Sequence, residues 1–248
     1  VRLAFVIPVH GRHQLAEACL RQLARTCLTL NQKGVDAAAI LVGDDAFFGR
    51  LATELGFGWV RAANRPLGAK WNEGIEFACR EGAVDYVVPL GSDDVVDASL
   101  FVASWPSDAI VCARESAVVS PDGDRLAELH IGYGGGDGVR MLPSSLLERV
   151  GFRPAADERD RAIDGSMSDK LGPRGTGRPA RYVYRGSDAR ALQIIDFKSS
   201  GRGQRNTYEA CLDLATAEHE DVWERVGSVY PAAFVEEIRA CYRERVAA

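Results

Sequence analysis

Short apolar runs alternate with helical-period stripes through the first 95 residues. Residues 3–9 (L-A-F-V-I-P-V) form an unbroken apolar run, the pattern of a strand buried on both faces. His10-Gly11-Arg12 interrupts it. Leu15, Cys19, Leu23 and Cys27 then recur every four residues, with Ala16 and Leu20 beside them, which predicts an amphipathic helix ended by Asn31-Gln32-Lys33-Gly34. Residues 38–42 predict a second strand, 50–55 a short helix, 58–61 a third strand, 64–68 a loop and 71–80 a helix with Ile75, Ala78 and Cys79 inward. The run at 86–90 (Y-V-V-P-L) predicts a fourth strand. This alternation argues for an α/β protein with a Rossmann-like, mostly parallel sheet and helices on both faces.

The second half follows another pattern. Residues 109–113 and 117–120 are strand-like, and 125–131 predict a hairpin partner across the turn Pro121-Asp122-Gly123-Asp124. Residues 143–150 predict a short helix. Residues 156–169 are heavily charged, and 132–138 and 171–181 are glycine-rich loops. Late strands are predicted at 182–184 and 191–195. Residues 199–205 (S-S-G-R-G-Q-R) form a basic loop, with Lys198, Arg202 and Arg205 as candidate diphosphate clamps or ordinary solvated charges. Residues 206–209 start a helix, and 231–246 carry an apolar stripe of Phe234, Val235, Ile238, Cys241 and Tyr242.

Composition narrows the classes. With 248 residues, 46% of them hydrophobic, the chain can bury a sizeable core. A net charge of −5 argues against non-specific binding to nucleic acid or anionic membrane. There is no 18-residue apolar run, so no transmembrane segment is expected. The six cysteines are scattered without a C-x-x-C pair, which suggests reduced, buried thiols and a cytoplasmic protein without a signal sequence.

The most informative turn follows the fourth strand: Gly91-Ser92-Asp93-Asp94. Ligands of open α/β sheets bind in the crevice beyond the carboxyl ends of the strands. Adjacent carboxylates repel each other there unless a cation joins them, and hard oxygen ligands suit Mg²⁺ or Mn²⁺. The competing reading is a polar turn with an N-cap aspartate.

Four segments together resemble the nucleotide-sugar half of GT-A-fold glycosyltransferases, family 2 in particular. They are Val6–Arg12, Leu41–Asp45, Asn64–Ile75 (N-R-P-L-G-A-K-W-N-E-G-I) and the Gly91–Asp94 turn. The resemblance covers about the first 100 residues and extends more loosely to about 170. It implies a nucleotide-sugar-binding half (1–108), a mixed acceptor-binding half (109–200) and a C-terminal helical segment (201–248).

It also implies roles. Pro8, His10, Gly11 and Arg12, with Asp44 or Asp45, would hold base and ribose; the alternative for Asp44 and Asp45 is capping the next helix. His10 and His13 read as hydrogen-bonding loop residues. Gly68 would let backbone approach the nucleotide, Asn72 would lock the loop, and Lys70 would reach phosphate or sit solvated at a helix start. Ser92 joins the donor site. Asp93 keeps the metal position, with Asp94 beside it, although Gly91 replaces the first aspartate of the usual D-x-D. The implied cofactor is Mn²⁺ or Mg²⁺.

Asp164 falls where inverting members carry the catalytic base, with Asp157, Glu158 and Asp160 as rivals. The implied reaction moves a hexosyl group from a nucleoside-diphosphate sugar, UDP-linked by preference, to a glycan, protein or lipid-linked hydroxyl. A sugar-nucleotide nucleotidyltransferase is the alternative enzyme, although His10-Gly11-Arg12 is short for its phosphate loop. An inactive nucleotide-sugar-binding module is the non-enzymatic alternative.

Overall fold

The computed structural model describes residues 1–102, 105–113, 115–130, 139–160, 163–172, 181–185, 191–198, 208–212 and 215–246. In chain order the strands are β1 (Arg2–Pro8), β2 (Asp36–Gly43), β3 (Gly58–Arg61), β4 (Tyr86–Pro89), β5 (Asp94–Val96), β6 (Ala109–Ala113), β7 (Glu115–Val119), β8 (Leu126–His130), β9 (Arg140–Pro143), β10 (Arg181–Arg185), β11 (Ile194–Phe197) and β12 (Ala215–His219). The helices are α1 (His13–Gln32), α2 (Ala46–Leu55), α3 (Leu67–Gly82), α4 (Ser144–Glu148), α5 (Ile163–Leu171), α6 (Tyr208–Leu212), α7 (Val222–Gly227) and α8 (Ala232–Val246).

They build two sheets. The larger has the order β10-β6-β9-β4-β1-β2-β3 and is parallel except for β9, which runs against both β4 and β6. The smaller has the order β12-β8-β7-β11-β5 and is mostly antiparallel.

The period-2 alternation of β1 divides the core of the larger sheet. Leu3, Phe5, Ile7 and Val9 join one buried cluster with α1 and α2, while Ala4 and Val6 join another with α3, α4 and α5. Gly74 sets how close α3 lies to that second face. A Cβ there would sit 2.4 Å from Val42 Cγ2 and 2.6 Å from Val6 Cγ1.

Helix α1 is shared by both sheets. Leu20, Leu23, Cys27 and Leu30 face the larger sheet's core, whereas Leu15, Ala18 and Cys19 enter the core of the smaller with Phe197, Phe234, Ile238 and Tyr242. Each buried leucine or phenylalanine stabilises by about 1.5–3 kcal/mol, so α1 contributes to both cores at once.

Several sequence expectations shift. α2 begins at Ala46, not 50, because the Asp45 carboxylate accepts from Phe47 N and caps it. α3 begins at Leu67, inside the expected loop, because partners distant in sequence satisfy its first amides. Residues 191–193 form a 3₁₀ turn, and the strand expected there starts at Ile194. The short strands β5 and β9 were not anticipated, and the C-terminal stretch adds β12 to its helices. Both sheets draw strands from either side of residue 108. The glycine-rich stretch 132–138, most of the 171–181 loop and residues 199–205 lie outside the described residues.

Candidate active site

The site is built where β4 ends. Leu90 N donates to Val6 O at 3.0 Å, which continues the parallel pairing up to the turn. Gly91 N donates to Asp94 Oδ2 at 2.7 Å, and Asp94 N donates to Gly91 O at 3.3 Å. The two carboxylates fold back over Gly91: a Cβ there would meet Asp94 Oδ2 at 2.6 Å and Asp93 Oδ1 at 3.2 Å. Glycine in place of an aspartate therefore suits this turn, since a side chain at 91 would push Asp94 out of its bond.

The third carboxylate comes from the other end of the chain. β5 pairs antiparallel with β11, and the register sets Asp94 directly opposite Asp196. Like charges facing each other across antiparallel strands are destabilising. Asp93, Asp94 and Asp196 each offer an oxygen within 4.8 Å of the others. Asp196 Oδ1 is buried and has no hydrogen-bond partner among the described residues. An unfilled buried carboxylate oxygen amid three hard donors fits a Mg²⁺ or Mn²⁺ site.

Two cations flank the set. Arg12 Nη1 donates to Asp93 Oδ2, and Arg12 Nη2 lies 3.4 Å from both Asp93 Oδ1 and Ser92 Oγ. Lys198, one residue past β11, ion-pairs with Asp196 and is almost wholly buried. Its backbone is pinned on both sides: Lys198 N donates to Val119 O at 3.2 Å, and Lys198 O accepts from Tyr242 Oη at 2.9 Å.

The charges shift one another. Burial, then Asp196 and Asp93, push the Asp94 carboxyl well up. Burial pushes Asp196 up to about 6 against the opposing pull of Lys198. Burial pulls the Arg12 and Lys198 cations down, but the carboxylates beside them, Asp93 first for Arg12 and Asp196 first for Lys198, more than reverse this.

The base-and-ribose candidates line the neighbouring strand ends. Pro8 closes β1 opposite Val42, His10 is exposed, and Gly11 and Arg12 both adopt left-handed backbone, with φ of 58° and 48°. These two turns bring the Arg12 guanidinium back to Asp93, so the structure places Arg12 at the carboxylates. Asp45 is engaged by the α2 cap and by His13 Nε2 at 2.6 Å, whereas Asp44 is exposed beyond β2. Lys70 is buried, not solvated. Its ammonium donates to Val9 O at 2.7 Å and Asn64 Oδ1 at 3.0 Å and so ties the loops after β1 and β3 together. Burial pulls it down to about 8, although Asp44 opposes this.

A third group of contacts fastens the start of α3 to the segment before α5. Leu67 N donates to Asp160 Oδ1 at 2.9 Å, Gly68 N to Arg159 O at 2.7 Å and Ala69 N to Asp157 O at 3.2 Å. These fill the orphan amides of a helix start. Asn72 is fully buried and bonds Ala155 through both its oxygen and its nitrogen, each at 2.9 Å, and also Asp157. Gly68 thus admits the Ala156 carbonyl of this segment.

Among the candidate bases, Asp160 is occupied by its cap. Asp157 is held by Arg153 and Asn72, which lower its pKa. Glu158 is exposed. Asp164 is the second residue of α5. That helix hangs on the same segment, through Ala156 N to Ser166 Oγ at 3.1 Å and Lys170 Nζ to Ala155 O at 2.6 Å.

Asp196 was missed from the sequence, and Lys198 was placed on a loop. The signal was present in I-I-D-F-K (194–198): strand alternation puts Asp196 and Lys198 on one face and Ile195 and Phe197 on the other.

No protein-family model and no curated protein matches this chain. Solved structures do. TarS from S. aureus (residues 1–349), in complex with UDP-GlcNAc, superposes with a TM-score of 0.55 at 11% identity over 97% of this chain and 73% of TarS. The mannosyltransferase PcManGT from Pyrobaculum calidifontis, in complex with GDP-Man and Mn²⁺, superposes with a TM-score of 0.52 at 13% identity over 100% of this chain and 75% of that one. The chain has the GT-A glycosyltransferase fold. The TarS fragment (residues 1–349) in complex with UDP gives a TM-score of 0.54 at 12% identity over 80% of this chain, and there the chain spans only 61% of that fragment's length. In this GT-A fold the carboxylate set lies at the carboxyl end of β4, beside the ends of β1 and β2.

Proposed function

We propose that this chain is a metal-dependent, inverting glycosyltransferase that moves a hexosyl group from a nucleoside-diphosphate sugar, UDP-linked by preference, to an acceptor hydroxyl. The observation that carries this reading is the convergence of Asp93, Asp94 and Asp196, with the buried Asp196 Oδ1 left open, at the ligand-binding edge of a GT-A sheet. The matched TarS and PcManGT structures hold nucleotide sugars, and the second also holds Mn²⁺. Asp93, Asp94 and Asp196 would hold the cation. Once bound, Mn²⁺ or Mg²⁺ supplies positive charge to a departing diphosphate. Lys198 keeps Asp196 ionised and oriented. Asp44 is exposed to accept from a base N–H or a ribose hydroxyl, while Lys70 and Asn64 hold the loops around it.

The acceptor hydroxyl gives its proton to the Asp164 carboxylate as its oxygen bonds the anomeric carbon, and the carbon–oxygen bond to the diphosphate breaks with its electron pair. A glycan, protein or lipid-linked acceptor fits this chemistry. Among the described residues, no helix is long and apolar enough to cross a membrane.

Calorimetry tests the donor half of the reading. EDTA-stripped protein is expected to bind UDP weakly and to regain affinity with Mn²⁺; equal affinity in both conditions would remove the metal from it. Asp164→Asn tests the acceptor half. It should leave Mn²⁺-dependent UDP binding intact and slow transfer by about a hundredfold or more, the lower end of general-base contributions. Normal turnover would move the base to Asp157, Glu158 or Asp160.

A further inference from the structure

The two cations beside the carboxylates are held very differently. Lys198 has a side chain only 6% exposed, and its backbone is bonded on both sides. Arg12 has a side chain 30% exposed and stands on the loop between β1 and α1, as the second of two consecutive residues in left-handed backbone. Non-glycine residues adopt that conformation at a cost. The contacts of its guanidinium with Asp93 and Ser92 are what draw the side chain over the carboxylates.

Charge balance separates metal alone from metal with nucleotide. Among the described residues, three carboxylates, when ionised, and two cations leave one net negative charge in a partly buried site. A dication added on top would make the site net positive with no anion present, and it would compete with Arg12 for Asp93. A diphosphate arriving with the metal changes this balance. It brings its own negative charge and offers a guanidinium the bidentate phosphate geometry that arginine prefers. Lys198 cannot make such a move, because its backbone and its burial fix it against Asp196.

We infer that Arg12 stands in for the divalent cation at Asp93 and transfers to the donor's diphosphate when nucleotide and metal enter together, so that each ligand tightens the other. The inference rests on the proposed metal site and adds to it a positioning residue with a sign: Arg12 opposes metal alone and favours metal with nucleotide. The coupling is reciprocal, as binding linkage requires.

Mn²⁺ binding, read by the electron paramagnetic resonance of free Mn²⁺, tests it without any transfer assay. EDTA-stripped wild type, Arg12→Ala and Arg12→Lys are titrated with Mn²⁺ alone, with UDP and with GDP. Arg12→Ala should bind Mn²⁺ alone about tenfold or more tighter, the scale of a lost charge-assisted bond. The factor by which UDP or GDP tightens Mn²⁺ should fall towards one. Arg12→Lys keeps the charge without the fork and should lie between the two. It also carries the test if Arg12→Ala fails to fold, which thermal melting reports. An unchanged Mn²⁺ affinity in the Arg12 variants, while wild type binds Mn²⁺ with nucleotide, overturns this inference alone. Wild type that binds no Mn²⁺ even with UDP and GDP overturns the proposed function, and the role of Arg12 with it.

Discussion

Asp94→Asn is expected to weaken Mn²⁺-dependent UDP binding by at least about a hundredfold and, at the same time, to raise the melting temperature of the metal-free protein. The loss follows from ligand chemistry. Even outer-shell partners of a metal ligand are worth 10–100-fold in affinity, and Asp94 is part of the carboxylate set itself. The gain follows from the register that sets Asp94 opposite Asp196. Burial and two neighbouring carboxylates raise Asp94, and burial raises Asp196 to about 6.

A carboxyl raised in the folded state binds more protons there than in the unfolded chain. The metal-free fold therefore loses stability as pH rises from the ordinary carboxylate range to about 6, and the penalty remains at neutral pH. Asparagine removes one of the opposed charges while keeping an oxygen for Gly91 N–H. Thermal melts across pH 4–7, with and without Mn²⁺ and UDP, read both effects. A metal-free variant that melts lower than wild type at pH 7 would show that the carboxylates are not held in mutual opposition.

Gly68→Ala is the largest expected change in stability. Its Cβ would lie 1.9 Å from Ala156 O and 2.9 Å from the carbon of that carbonyl, and backbone cannot swing aside as a side chain can. The segment 155–160 must then leave the start of α3, which breaks the bonds from Leu67, Gly68 and Ala69. Overpacking of about 1–3 kcal/mol and three lost hydrogen bonds of about 1 kcal/mol each give a loss of roughly 4–6 kcal/mol in urea unfolding. Gly165→Ala is the control. It lies in the same region, in α5, with nothing within 4 Å of the added Cβ, and should be neutral or mildly stabilising. If Gly68→Ala unfolds at the control's urea midpoint, the segment is not seated on α3 as described.

These two positions show what was legible in the sequence. The apolar runs of β1 and β4 and the four-residue stripe of α1 state their own burial, so the larger sheet could be read almost strand by strand. The Gly91–Asp94 turn declared its carboxylates because they are adjacent in sequence. Asp196 did not, because what makes it matter is its opposition to Asp94 across a short strand pair, and no local pattern encodes that register. The start of α3 was misplaced for a similar reason. Its amides are capped by residues 157–160, roughly ninety positions away, whereas Asp45 could be weighed as a cap because its helix follows at once. Lys70 read as a phosphate ligand or a solvated helix-start lysine because the sequence does not show that Val9 O and Asn64 Oδ1 close over its ammonium.

The pairing of β5 with β11 has a consequence for anyone dividing this chain. A gene fragment ending at residue 108 would keep all four sequence segments by which the chain resembles GT-A-fold glycosyltransferases. It would nonetheless carry two of the three carboxylates and leave Asp94–Val96 as a bare strand edge without Ile194–Asp196 to pair with. Chimeras that exchange the later half of the chain should take the crossover elsewhere and keep residues 194–198 together with residues 1–108, because the end of the chain completes a site that its beginning begins.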